Sequence, residues 1–91
     1  MFFEKYRTEK EKLAAVKRNG LAIQYIHNPS EEIQLAAVEQ DVSVIRYIHN
    51  PSDIVIRYVI ENCDDIDIIQ SMRIDFNKLP DDLKLILELK F

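Results

Sequence analysis

Two histidines occupy the same place in repeated strings, Ile26-His27-Asn28-Pro29 and Ile48-His49-Asn50-Pro51. Imidazole binds metals and changes charge near neutral pH, so such a pair invites the reading of a histidine ladder. Units stacked at ~8–10 Å, the usual distance between packed helices, hold these rings too far apart to share one zinc ion at ~2.0–2.1 Å per ligand. A histidine that ends a helix and complements its dipole is the reading preferred here.

Glu61, Asp64, Asp65 and Asp67 form an acidic cluster around Asn62-Cys63. A calcium loop needs regularly spaced oxygen ligands and a glycine at its turn. This stretch has no glycine, and Asp64-Asp65 suits the start of a helix instead. Cys63, the only cysteine, sits among acidic residues, and no histidine lies close in sequence to activate its thiol. Nucleophile elbow, Walker loop, paired-cysteine zinc motif and dinucleotide fingerprint are all missing. Gly20 is the only glycine, which leaves no phosphate-cradling loop. The expectation is a non-enzyme with no catalytic residue, no cofactor and no metal.

Composition bounds the partners. The chain has 91 residues and net charge −4, one domain's worth. Residues 1–20 carry six basic side chains against three acidic ones, while residues 21–91 carry six against thirteen. A pI near 5.1 argues against general nucleic-acid binding, since phosphate contacts require a basic surface. No apolar run reaches the ~18 residues of a membrane span, and the opening residues lack the pattern of a secretory signal. One cysteine suits a reducing compartment. A cytoplasmic protein that meets another protein is expected.

What would position any binding residues is a repeat. Residues 13–34 and 35–56 are identical at eleven positions, including Leu-Ala-Ala-Val and Ile-His-Asn-Pro-Ser. Weaker repetition runs upstream to Thr8-Glu9 and downstream to about residue 72, with Ile66 and Ile69 in the places of Val44 and Tyr47. Each unit reads as two short helices, the long ones over 7–18, 29–40 and 51–62, the short ones over 20–27, 42–49 and 64–71. Asn28 and Asn50 supply N-cap acceptors, with proline at the first helical position. Asn19-Gly20 provides a left-handed stop, and Asp41 and Asp64 cap the short helices. The long helices bury Ile33, Ala36 and Ala37, then Val55, Tyr58 and Val59, at the spacing of one helical face. The short helices carry Ala22/Val44/Ile66 and Tyr25/Tyr47/Ile69 three apart, which favours the core for both tyrosines, partner-facing anchors being the alternative.

Helices below ~12–15 residues are marginal alone, so these must be held by stacking. The fold expected is all-α: a short α-solenoid of about three helical hairpins, units 7–28, 29–50 and 51–72, with a C-terminal cap over 73–91. Phe2, Phe3 and Tyr6 are expected to cover the first end. At the other, Pro80-Asp81-Asp82 opens a helix whose Leu83, Leu85, Ile86, Leu87 and Leu89 close the stack, a homodimer through this helix being the alternative.

The string Asn28-Pro29-Ser30-Glu31-Glu32-Ile33-Gln34-Leu35-Ala36-Ala37-Val38 resembles a family of short helical repeats of unknown function, found in bacteria, phages and giant viruses. It is also similar to leucine-rich-repeat-variant and HEAT-like units. The resemblance covers roughly residues 7–70, implies architecture, and carries no catalytic residues. Polar positions that vary between the units are then the candidate partner contacts: Gln24, Arg46, Glu39 and Gln40, together with His27 and His49. The leading expectation is a protein–protein interaction module. The alternative is a phage- or mobile-element inhibitor of a host defence system of the anti-CRISPR kind.

Overall fold

The structure is a computed structural model that describes residues 6–91, and all regular structure among them is helical. Three ten-residue helices begin 22 residues apart: α1, Glu9–Arg18; α2, Glu31–Gln40; and α3, Asp53–Asn62. Each starts at a hydroxyl. Thr8, Ser30 and Ser52 accept from the amides of Glu11, Ile33 and Val55 at 3.1, 3.3 and 3.4 Å, satisfying one of the amides a helix start leaves bare. The caps are therefore Ser30 and Ser52, not the asparagines two residues earlier. The helical ladder opens at the Ser30 carbonyl, while that of Pro29 is taken by the Gln34 side chain. Asn-Pro thus forms a lead-in loop, where Asn28 holds the left-handed φ of 50°.

The long helices stop without a left-handed residue. Asn19, Asp41 and Cys63 are extended, and their amides donate back to Ala15, Ala37 and Val59. Asn19 and Asp41 also open the next helix, accepting from Leu21 and Ser43 amides at 3.0 Å. Gly20 has no positive φ. It is small for a different reason: a Cβ there would lie 2.9 Å from the Ala37 carbonyl oxygen.

The short helices Gly20–Tyr25 and Val42–Tyr47 are 3-10 helices. With three residues per turn, Ile23 and Ile26 lie on one row, as do Ile45 and Ile48, and all four are buried. Val44 is buried beside them, but Tyr25 and Tyr47, the last residues of the two helices, are 56% and 39% exposed, so the tyrosines are not core residues.

The third unit departs from the period earlier than the sequence suggests. Cys63 ends α3, but the next cap is Asp65, which accepts from Asp67, so α4 runs Ile66–Gln70. The two duties that Asn19 and Asp41 combine are split, and the register moves by two residues. Ile69 and Met72 fill the places of Ile45 and Ile48, while Ile66 is exposed. Asp64 caps nothing here.

Packing runs α1 on α2 and α2 on α3, with the two 3-10 helices side by side and α4 against the second. A third 3-10 turn, Phe76–Lys78, is capped by Asp75 and leads into α5, Asp81–Lys90, which packs on α3. Arg57, midway along α3, meets Asp82 in the first turn of α5 at 2.7 Å. Near their ends, Lys90 Nζ donates to the carbonyls of Ile60, Glu61 and Cys63 at 2.9–3.2 Å and pairs with Asp64. An ammonium over a helix C-terminus complements its dipole, and the two anchor points set α5 alongside α3 in the same direction. Leu83 is buried, Ile86 and Leu87 are half-buried, and Leu85 and Leu89 face out. Tyr6 packs half-buried on the core; Phe2 and Phe3 lie outside the described residues. The described body measures 41 × 24 × 19 Å.

Two expectations follow. Gly20→Ala forces a carbon against a carbonyl oxygen in a packed junction, an overpacking cost of about 1–3 kcal/mol, read as a melting point lower by several degrees; an unchanged melting point would contradict the close approach. Arg57 holds the Asp82 carboxyl below the ordinary aspartate range, chiefly by donating a hydrogen bond to it. A depressed folded pKa gives stability that is present above the unfolded value and lost as pH falls through the folded one. Carboxyl titration by NMR should show the Asp82 midpoint rising in Arg57→Met. No movement would mean the pair does not form.

Candidate functional site

The Asn-Pro loops of the first two units lie next to each other because Gln34 binds both. Gln34 is the one buried polar side chain among the described residues. Its Nε2 donates to the carbonyls of Pro29 at 3.1 Å and Asn50 at 3.4 Å, and its Oε1 accepts from the Ser52 amide at 2.9 Å. A buried amide is tolerated only when so satisfied. The previous unit has half-buried Lys12 at this position and the next has buried Ile56, so a side-chain amide stands here in one unit of the three.

Above Gln34 a groove of about 570 Å³ opens between the units, floored by Ile23, Ile26 and Ile48. Gln24, His27, Tyr47 and His49 stand on its walls. Three of the six residues singled out in the sequence, Gln24, His27 and His49, are thus brought to one place. The other three lie outside the groove. Arg46 is exposed beside the groove, with its Nε donating to the Ser43 carbonyl at 3.2 Å and its own carbonyl accepting from Arg73 Nε. Glu39 and Gln40 end α2, the far end from the loops, roughly 15 Å along a ten-residue helix.

The exposed tyrosines extend this surface. Tyr25 lines a second groove with Tyr6, Ala14, Leu21 and Gln24, and Tyr47 lines the first. Leu21 and Ile66 are exposed on the first short helix and α4. Side by side, the short helices present Leu21, Tyr25, Tyr47 and Ile66 with Gln24 and Arg46 between them. Sequence periodicity ranked the two tyrosines as core ahead of partner-facing anchors, because a three-residue period offers two equivalent rows. The available signal was chemical: one row is all isoleucine, while the other carries a phenol that prefers water at one edge.

The remaining chemistry-bearing residues serve the fold. Of the acidic cluster, Asp65 caps α4, Asp64 pairs with Lys90 and Glu61 lies 4.0 Å from Arg57. Cys63 is buried, its thiol donating weakly to the Asp65 carbonyl at 3.7 Å. Among the described residues, no three His, Cys, Asp or Glu side chains gather where a metal could sit, and no helix is long and apolar enough to cross a membrane.

Compared with family models, curated proteins and solved structures, the chain matches none.

Gln34→Leu keeps the volume and removes three bonds, stranding a buried amide and two carbonyls. The expected cost is about 1–3 kcal/mol for unsatisfied groups, with faster hydrogen exchange at the Ser52 amide. Unaltered Ser52 protection would show that the two loops are held by something else.

Proposed function

We propose that this chain is a minimal α-solenoid that works as a non-enzymatic protein-binding module, its partner docking on the face made by the short helices. What carries the reading is the pair Tyr25 and Tyr47, which hold the same position in adjacent units and are both exposed where isoleucines form the core. Tyrosine is among the residues that dominate interface energies, because it buries a large rigid ring and offers one hydrogen bond. Here the rings stand beside grooves with apolar floors, and Gln24, Arg46, His27 and His49 supply polar contacts around them. This is the anatomy of an interface: apolar centre, polar rim. The repeat supports it further, since identical scaffold residues hold positions that differ between units, Gln24 against Arg46 and Leu21 against Ser43.

The test compares the chain with Tyr25→Ser/Tyr47→Ser. Both rings are exposed, so melting should change little, while binding to any partner captured from the source cells should weaken by roughly 30-fold or more, as expected for two hot-spot truncations. A partner retained equally by the double variant would place the interface elsewhere.

A further inference from the structure

The stack ends at two glutamates. In the four ten-residue helices, the third position reads Glu11, Ile33, Val55 and Leu83, and the eighth reads Val16, Val38, Ile60 and Glu88. The six apolar members are 0–2% exposed, while Glu11 and Glu88 are exposed. The third position is open only in α1, the first helix of the described stack, and the eighth only in α5, the last. These columns therefore mark the faces through which one long helix packs on the next. At each free face the chain has put a carboxylate where the interior has a methyl-bearing side chain.

Apart from those carboxylates, both faces resemble the interior. Around Glu11 a groove of about 500 Å³ is lined by Tyr6, Ala14, Ala15, Leu21 and Ala22. Arg18, also on it, holds the tenth helical position, from which Lys90 of α5 caps the end of α3. On the other face, Leu85 and Leu89 flank Glu88. We propose that Glu11 and Glu88 keep this chain from adding head to tail to copies of itself: the two ends are matching halves of one interface between copies, held apart by two carboxylates that joining would bury where the interior has aliphatic side chains. Taking a carboxylate out of water at a position the interior fills with an aliphatic side chain is strongly unfavourable. The inference rests on the stacked-unit reading above.

The test uses E11I, E88V and the double variant, weighed by sedimentation against the 10.7 kDa chain. The double variant should form open-ended chains that lengthen with concentration, because a head-to-tail contact does not close on itself. Mixing E11I with E88V creates one carboxylate-free junction, so the mixture should form a 1:1 dimer of about twice 10.7 kDa, associating roughly 10- to 100-fold more tightly than either variant alone, for one buried aliphatic side chain. E39I/E61V adds similar apolar surface at exposed sites and should stay monomeric. Assembly by that control, a folded monomeric double variant, or homodimers from E88V alone would each overturn the inference. If the apolar double variant does not fold, E11Q/E88Q carries the same test. A folded monomer would leave the tyrosine face untouched, because that surface is read by partner binding.

Discussion

A ten-residue helix has no stability of its own in water, and every long helix in this protein is ten residues. A unit of 22 residues cannot surround even one isoleucine. Val16, Val38 and Ile60 are fully buried nonetheless, because each lies between its own helix and a neighbouring layer. Burying such a side chain is worth about 1.5–3 kcal/mol, and that gain exists only when two layers meet. Folding of any unit therefore depends on its neighbours, and the sharing shows in the core, which is one continuous cluster from Val16 to Leu83.

Apolar columns give adhesion without saying where one layer stops sliding over the next. Polar groups at the layer edges do that. Gln34 joins two loops at one end of α2, while Gly20 admits the Ala37 carbonyl at the other. In the last layer Arg57–Asp82 and the Lys90 ammonium pin α5 at both ends. Exposed ion pairs contribute little, but the contact of Lys90 with the last carbonyls of α3 satisfies groups that a helix end otherwise leaves bare.

Much of the architecture was legible because repetition converts weak local signals into a strong one. The 22-residue period, the three long helices and the three-residue spacing in the short ones are all visible in residues 8–62. Details failed where one residue type can play two parts. Asn28 and Ser30 are both good caps, and only the capture of the Pro29 carbonyl by Gln34 decides between them. Tyr25 and Ile26 are both apolar enough for a core, and the handing-over of rows depends on a 3-10 geometry that hydropathy does not encode. The candidate site was half legible. Variation between units pointed to Gln24 and Arg46, and the repeated histidines lie beside them, but Glu39 and Gln40 share only the variability, not the place.

Asn19 and Asp41 each end one helix and begin the next with a single residue. The boundary between units is therefore seamless, and a stretch of 22 residues cut anywhere before Cys63 contains one complete set of caps. Duplication or loss of such a stretch in the gene would leave every remaining helix correctly started and stopped. Beyond Cys63, where two residues divide that work, the same operation would strip a helix of its beginning. Up to Cys63 the caps recur as whole modules of 22 residues, whereas beyond it that modular division of work is broken.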